Sequence, residues 1–260
     1  MTIDGRIIAG EVYTRLIARR GTLPTNLSLG IVCCEPDAVI ESFVRIKSRA
    51  AEKLGVTMIR RDVPANAGEE GIIAAIDELA RETQGVIVQL PLPQGMDTER
   101  VLAAIPHEKD VDGLAPDSPV VPPVARAVRE ILMREEIAVS GMRAIVVGAG
   151  RLVGAPCAQM LESEGARVQV ITKEHGSLEE LRDADIIVSG AGEPGFITPD
   201  MIREGVVLID AGTSEQGGKV RGDADLTCAS KCRVFTPVPG GVGPIAVAMI
   251  FENLFALGSK

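Results

Sequence analysis

Aromatic side chains are scarce in this chain, whose 260 residues include no tryptophan, one tyrosine and five phenylalanines. The core must therefore be aliphatic. The composition, with 46% hydrophobic and 24% charged residues, is typical of a globular protein, and the length allows one large domain or two modest ones. No apolar run approaches the ~20 residues of a membrane span. The opening residues, MTIDGRIIAGEVYTRL, lack the pattern of a secretory signal. We therefore expect a soluble, cytoplasmic protein with no membrane partner.

Positive charge is also in deficit. The chain has 27 Lys and Arg against 36 Asp and Glu, which gives a formal net charge of −9. Because nucleic-acid phosphates attract basic surfaces, we expect no nucleic-acid partner. An anionic substrate would need a local cluster of basic residues at its site, because the overall negative charge of the protein repels it.

Cysteine is infrequent, and its five copies make an odd number. In a chain without a secretory signal this indicates reduced thiols. Cys228 and Cys232 have helical spacing, but no second pair with zinc-ligand spacing accompanies them. We expect structural thiols and no metal site.

Strand-like and helix-like segments alternate along the first half of the chain. Apolar runs predict strands at 27–34, 56–60 and 85–90, and helical spacing of apolar residues predicts helices at 8–18, 42–54 and 69–81. This alternation predicts an α/β sheet.

A second block of elements begins after the proline-rich segment 115–123. It is predicted to hold strands at 143–147, 168–171, 185–189 and 206–210, and helices at 124–135, 154–164 and 245–257. The predicted fold is α/β with two domains, an N-terminal catalytic domain and a Rossmann-like NAD(P)-binding domain. Their predicted boundaries are 1–121 plus 243–260 and 122–242, with the last helix returning to the first domain.

Gly148, Ala149 and Gly150 follow a predicted strand and, with Gly154, open a helix. Such a turn offers backbone N–H groups to a pyrophosphate at a helix N-terminus. The spacing GxGxxxG is one residue longer than the common fingerprint, so an ordinary strand–helix turn is the alternative.

The residues that end the next strand bear on the choice of cofactor. A carboxylate there would bind the ribose hydroxyls of NAD. Here Thr172 and Lys173 could bind the 2′-phosphate of NADP, although Glu174 follows them. We predict NADP rather than NAD, the alternative for Lys173 being a solvated loop lysine.

Several polar side chains of the first half are candidates for chemistry. Phe43 is predicted on the apolar stripe of the helix at 42–54, and Lys47, which shares its helical face, lies near the border of that stripe. Lys47 could move protons if burial lowered its pKa, although a solvated lysine is the alternative. Gln89 ends a buried strand, as a ligand contact or a satisfied core amide. Asp110 and Asp112 are turn formers, or one of them accepts hydrogen bonds from a ligand.

Six motifs occur in order: VQLPLP at 88–93, KDVDG at 109–113, VVGAGRLVGAP at 146–156, GEPGFI at 192–197, VVLIDAG at 206–212 and TPVPGGVGP at 236–244. Together they resemble the bifunctional methylenetetrahydrofolate dehydrogenase/methenyltetrahydrofolate cyclohydrolase family over nearly the whole chain. The resemblance implies an active site in a cleft between two domains, NADP, a tetrahydrofolate substrate and a homodimer formed through the cofactor domain. It also implies oxidation of 5,10-methylenetetrahydrofolate followed by hydrolysis to 10-formyltetrahydrofolate.

The resemblance also assigns roles to individual residues. Lys47 matches the lysine that moves protons in hydrolysis, Gln89 its hydrogen-bonding partner, and Asp112 the aspartate that holds the pterin ring. The remaining implied contacts are Phe43, Pro239, Gly240 and Gly241 to the folate, and Gly148, Ala149, Gly150 and Thr213 to the cofactor.

The chain departs from the family pattern around this site. Phe43 stands where the family has tyrosine, Gly150 stands where serine is common, and 122–127 replaces the family motif PCTP-x-G. Because of the lost hydroxyls and the altered segment, two alternatives to the bifunctional enzyme remain for the function of this protein. One is a monofunctional or respecialised enzyme of the same fold, and the other is a non-catalytic folate- or nucleotide-binding protein.

Overall fold

A computed structural model describes residues 1–216 and 219–259. The chain divides into two compact units. The first unit comprises Glu11–Pro123 and Val247–Lys260, and the second comprises Met1–Gly10 and Val124–Ala246. Both are built on parallel sheets, so the prediction of a two-domain α/β protein is confirmed.

The first unit contains a three-stranded parallel sheet in the order β2-β1-β3. All residues of β1 and β3 are buried, as expected for parallel strands whose two faces are covered. The elements are β1 Ser28–Cys34, β2 Thr57–Val63, β3 Gly85–Val88, α1 Gly5–Arg19, α2 Ala38–Lys53, α3 Gly68–Glu82 and α4 Thr98–Ala103. Helix α1 begins within the second unit and continues in the first.

Helix α2 begins at a capped N-terminus, where the Asp37 carboxylate accepts a hydrogen bond from the Ile40 N–H at 2.7 Å. Its buried face includes Ile40, Val44 and Ala51. Phe43, by contrast, is 40% exposed, so its predicted place in the buried apolar stripe is wrong. The stripe at positions 40, 44 and 51 has helical spacing, and position 47 falls on it.

The second unit contains a five-stranded parallel sheet in the order β10-β7-β6-β4-β5. A short antiparallel hairpin, β8–β9, follows β7. The elements are α5 Pro123–Arg134, β4 Arg143–Val147, α6 Gly154–Ser163, β5 Arg167–Ile171, β6 Ile186–Ser189, β7 Val207–Asp210, β8 Ser214–Gln216, β9 Lys219–Arg221, β10 Val234–Phe235 and α7 Val242–Leu257. From Val247 onward α7 belongs to the first unit, as predicted for the last helix.

The N-terminus lies along the edge of the second unit's sheet. Ile3 N–H donates to the Phe235 carbonyl at 2.8 Å, and Phe235 N–H donates to the Met1 carbonyl at 2.9 Å. These backbone bonds group Met1–Gly10 with the second unit, whereas the sequence analysis placed them in the first domain. The other predicted domain boundaries remain predictions.

The strongly patterned elements occur where the sequence predicts them. Helix α4, the β8–β9 hairpin and the two-residue strand β10 were not predicted, because each is too short to show a period. None of the helices formed by residues 1–216 and 219–259 has the length and apolar character that a bilayer crossing requires.

Candidate active site

Lys47 and Gln89 meet in the first unit. Helix α2 supplies Lys47, and Gln89 follows β3 directly, at the carboxyl end of the parallel sheet. Lys47 Nζ donates a hydrogen bond to Gln89 Oε1 at 2.7 Å. Gln89 Nε2 donates to the Leu90 carbonyl at 2.8 Å, which fixes the amide with its oxygen toward the lysine. Gln89 is buried, and both groups of its amide have hydrogen-bond partners.

The position of Lys47 on α2 explains its surroundings. It lies on the stripe defined by Ile40, Val44 and Ala51, so its stem runs along the packed face of the helix. Burial lowers the pKa of Lys47, while the nearby Asp112 carboxylate opposes that shift. An ammonium group with a depressed pKa can both give and take a proton near neutral pH.

The two aspartates of the 109–113 motif have different environments. Asp110 is fully buried, and its oxygens accept the N–H groups of Gly113 and Ala115, each at 2.9 Å. Asp110 therefore forms the turn. Burial raises the pKa of Asp112 to about 6, with the positive charge of Lys47 opposing this shift and Asp110 adding to it. Asp112 is thus the member of the pair that lies in the electrostatic field of Lys47.

Asn253 supports this turn and was not predicted. It is buried on α7, and its Nδ2 donates to the carbonyls of Val111 at 2.8 Å and Val121 at 3.1 Å. It thereby ties together the two ends of the segment that begins with Asp112. A lone asparagine within the very apolar helix 242–257 is the sequence signal that could have identified it.

Phe43 lies one turn before Lys47 on α2 and exposes a large part of its ring. Ile46 is similarly exposed on this helix. Exposed apolar side chains beside a partly buried lysine offer a surface for a flat apolar ligand.

The predicted cofactor turn lies in the second unit, between β4 and α6. Gly148 adopts φ of 93°, a value that favours glycine, and its N–H donates to the Ile171 carbonyl at 2.8 Å. Ala149 and Gly150 are exposed, and a Cβ added at Gly150 would meet nothing within 4 Å. An open main-chain turn before a ten-residue helix fits a pyrophosphate.

Lys173 and Thr213 both follow strands of this sheet. Lys173 is exposed after β5, and Thr213 is exposed after β7. Because the strands are parallel, both residues lie at the carboxyl edge, where the β4 turn also lies. Thr172 Oγ1 donates to the Glu174 carboxylate at 2.9 Å, so the hydroxyl proton of Thr172 is already used in a hydrogen bond within this turn.

The loop 236–241, which precedes α7, is held by its own backbone and by the start of α1. Gly241 N–H donates to the Pro237 carbonyl at 2.8 Å, and Gly5 N–H donates to the Gly240 carbonyl at 2.8 Å. Pro239 is exposed, Gly240 is partly exposed and Gly241 is buried. The loop therefore presents Pro239 and part of Gly240 on the surface of the second unit.

The cysteine side chains are all buried free thiols. Within residues 1–216 and 219–259, no group of three His, Cys, Asp or Glu side chains is arranged to hold a metal ion.

The parallel sheets, the partly buried lysine and the open glycine turn define a two-domain α/β enzyme with a dinucleotide-binding unit. Residues 3–112 match the tetrahydrofolate dehydrogenase/cyclohydrolase catalytic domain, and residues 122–260 match the NAD(P)-binding domain of the same family. The chain belongs to the tetrahydrofolate dehydrogenase/cyclohydrolase family.

Individual relatives match over nearly their whole length. A protein of Methanoculleus marisnigri named bifunctional protein FolD is 37% identical, over 98% of this chain and 95% of the relative. The crystal structure of the bifunctional enzyme FolD from Campylobacter jejuni has a TM-score of 0.94 at 30% identity, covering 99% of this chain and 98% of that one. The Trypanosoma brucei enzyme, solved with NADP and an inhibitor, has a TM-score of 0.92 at 30% identity, covering 99% and 96%.

Proposed function

We propose that the protein oxidises 5,10-methylenetetrahydrofolate to the 5,10-methenyl form with NADP, and hydrolyses that product to 10-formyltetrahydrofolate. The observation that carries the proposal is the hydrogen bond from Lys47 Nζ to Gln89 Oε1, beside Asp112, in a chain whose two halves match the two domains of the family. The two reactions follow each other because the product of the first is the substrate of the second.

Lys47 is the proton carrier of the hydrolytic step. Water adds to the methenyl carbon, and the uncharged amine of Lys47 accepts the proton that the water gives up. The ammonium form then returns a proton to N5 as the bond between that carbon and N5 breaks. The hydroxyl proton leaves to solvent as the formyl carbonyl forms on N10. The depressed pKa of Lys47 suits both directions of transfer.

Gln89 holds the amine of Lys47 in place without changing its charge. Its oxygen receives one N–H of Lys47, while its own NH₂ group is engaged by the Leu90 carbonyl. A neutral acceptor leaves the pKa of Lys47 depressed, whereas a carboxylate at this position would raise it.

Asp112 binds the substrate's pterin ring. Its carboxylate accepts hydrogen bonds from the amino and ring N–H groups of the pterin when it is ionised. The exposed ring of Phe43 stacks on the folate, and Pro239, Gly240 and Gly241 contribute further folate contacts. Phe43 has no hydroxyl to offer, in contrast to the tyrosine usual in the family.

The second unit binds and orients the cofactor for the oxidation. NADP, when bound, supplies the acceptor for the hydride that leaves the methylene carbon. Gly148, Ala149 and Gly150 would hold its pyrophosphate through main-chain groups at the start of α6. Lys173 would bind the 2′-phosphate, and Thr213 would contact the nicotinamide side. NAD, which lacks that phosphate, is the less favoured cofactor.

We further propose a cytoplasmic homodimer formed through the second unit, with no nucleic-acid or membrane partner. The position of β5 at one edge of the five-stranded sheet supports this, because an edge strand offers unpaired backbone groups to a symmetry-related copy. The net charge of −9 supports the absence of a nucleic-acid partner.

The test is to mix the pure protein with 5,10-methylenetetrahydrofolate and NADP⁺, with NAD⁺ in parallel, and to follow the ultraviolet spectrum. We expect reduced cofactor to appear with NADP⁺, and the methenyl band to decay faster than in buffer. Oxidation without accelerated decay would indicate a monofunctional enzyme. A flat trace with both cofactors would contradict the proposal and indicate a respecialised or non-catalytic relative.

A further inference from the structure

Two buried carboxylates of the second unit have no part in the reactions above. Asp210 ends β7 and is 1% exposed, and Asp223 follows β9 and is fully buried. Burial raises the pKa of Asp210 to about 7, the neighbouring charge of Asp223 adds to the shift, and the N–H of Ala224 opposes it. Two carboxylates buried side by side are costly to desolvate, so each needs hydrogen-bond donors around it.

The Asp223 carboxylate binds the loop that follows β6. Its Oδ2 accepts the hydroxyl of Ser189 at 2.6 Å and the N–H of Ala191 at 2.7 Å. Its Oδ1 accepts the N–H of Glu193 at 2.9 Å. One side chain thus fixes the last residue of β6 and two backbone positions of the loop beyond it.

The Asp210 carboxylate bonds both the loop that follows it and the segment that carries Asp223. Its Oδ1 accepts the Gly212 N–H at 2.9 Å, and its Oδ2 accepts the Ala224 N–H at 2.8 Å. A side-chain carbon at Gly212 would collide with the carboxylate of Asp223, and one at Gly222 would collide with that of Asp210. Each carboxylate therefore lies directly against a glycine in the segment that carries the other.

The segment that carries Asp223 is itself anchored to the main chain. Gly195 N–H donates to the Gly222 carbonyl and Ile197 N–H to the Asp223 carbonyl, at 2.9 and 3.0 Å. From this anchored segment the Asp223 carboxylate holds the loop after β6. The Asp210 carboxylate bonds the same segment through the Ala224 N–H and its own loop, after β7, through the Gly212 N–H.

These two loops are neighbours of the glycine turn after β4. Strands β6 and β7 are paired up to Ser189 and Asp210, so their loops leave the sheet side by side. A side-chain carbon at Gly190 would collide with Val153 of the β4 turn, and one at Gly148 would lie 2.9 Å from the Gly190 carbonyl oxygen. The three loops therefore form one surface at the carboxyl edge, where dinucleotides bind in such sheets.

We propose that Asp223 is a positioning residue for dinucleotide binding, which holds the loop after β6 against the anchored segment that Asp210 bonds from the end of β7, so that both loops form one preformed wall of the cofactor site. The inference rests on the proposed function, in which Thr213 on the second of these loops faces the nicotinamide. Asp223 acts through the loop it holds and does not contact the reacting atoms. A preordered wall binds its ligand more tightly because less conformational entropy is lost on binding.

The geometry requires a carboxylate. All three partners of Asp223 are donors, and they occupy both of its oxygens. An asparagine would turn its NH₂ group toward at least one of these donors, leaving it unsatisfied in a buried site. Asp223→Asn therefore changes almost no volume but loosens the loop after β6 from the anchored segment.

The experiment compares wild type, Asp223→Asn and Ser189→Ala, with Asp225→Asn as the matched control. Asp225 carries the same charge two residues away, but its carboxylate only caps the turn at Leu226–Ser230. NADPH affinity is measured by fluorescence titration. The order of the loops is measured without ligand, by amide hydrogen exchange of residues 190–193 and 211–213. Cyclohydrolase turnover is measured by decay of the methenyl band, and because hydrolysis uses no cofactor, it reports on the first unit separately.

We expect Asp223→Asn to weaken NADPH binding by about tenfold or more, as expected for a lost charge-assisted hydrogen bond, and to speed exchange in residues 190–193 more than in residues 211–213. Ser189→Ala should weaken binding by about threefold, since it removes one of the three donors. Cyclohydrolase turnover and the Asp225→Asn control should match wild type.

Two results would overturn the inference: unchanged NADPH affinity in folded Asp223→Asn, or a parallel loss of NADPH affinity and cyclohydrolase turnover, which would indicate a purely structural role. If Asp223→Asn does not fold, the Ser189→Ala affinity decides the question, and no change there overturns the inference. A wild-type protein that binds no NADPH would instead contradict the proposed function, and the inference with it.

Discussion

Lys47 Nζ donates a hydrogen bond to Gln89 Oε1 at 2.7 Å, across 42 positions of sequence. The bond joins the packed face of α2 to the carboxyl end of β3. It gives a partly buried amine a neutral partner, so the lysine is held in place while its pKa remains below the usual value. This combination of fixed position and easy protonation change is what a proton carrier requires.

Replacing Lys47 by methionine should remove hydrolysis while sparing oxidation. The thioether preserves the packing on α2 but carries no proton, so we expect cyclohydrolase kcat to fall by about 10²- to 10⁴-fold. Dehydrogenase turnover should fall much less, because Lys47 supplies no group that the oxidation consumes. The control is Arg49→Met on the exposed side of α2, and equal loss of both activities would contradict the assigned role.

Substrate affinity should depend on pH through Asp112. Burial raises its pKa to about 6, so the carboxylate is ionised above that pH and protonated below it. Protonation removes an acceptor for the pterin N–H groups, so the KM for the folate substrate should rise as pH falls below about 6. The measurement is the dehydrogenase KM between pH 5 and 8, where Asp112→Asn should show a high KM at every pH. A wild-type KM that is flat across this range would contradict the assignment.

Restoring the family's hydroxyl should affect hydrolysis more than oxidation. Phe43 lies one helical turn before Lys47 with its ring partly exposed, so Phe43→Tyr places a donor near the amine with little change in packing. We expect cyclohydrolase kcat to rise by about two- to tenfold, corresponding to part of one hydrogen bond. The two reactions are assayed separately, with Phe43→Leu as the control for loss of the ring. If Phe43→Tyr changes neither rate, the missing hydroxyl is irrelevant.

Asn253 should matter for folate binding although it lies far along the chain from Asp112. In Asn253→Leu the carbonyls of Val111 and Val121 lose their donor, which should destabilise the fold by about 1–3 kcal/mol. The loosened turn should raise the folate KM in both reactions while NADPH affinity stays unchanged. Urea unfolding and the two KM values are the measurements, and the exposed Asn66→Leu is the control. An unchanged folate KM would show that Asn253 is purely structural.

The sequence predicted the long elements well because their signal is local. The unbroken apolar runs of β1 and β4 and the glycine turn at Gly148 depend on near neighbours alone, and the structure confirms all three. The prediction for α2 at 42–54 missed the first turn of the helix, which begins at Ala38. It was also wrong in orientation, because Phe43 was predicted on the buried stripe, whereas the stripe that includes Ile40 and Val44 also contains position 47.

By itself, the sequence determined the fold class, the order of the elements and the motifs that identify the family, since these follow from local pattern and from order along the chain. Only the tertiary structure decided that Lys47 is a partly buried amine bound to Gln89, and that Asp110 forms the turn while Asp112 lies in the electrostatic field of the lysine. It also decided that Asp223 holds the loop after β6 across more than 30 positions. The physical reason is that desolvation and hydrogen bonds between distant residues depend on which groups folding brings together, and spacing along the chain does not encode that.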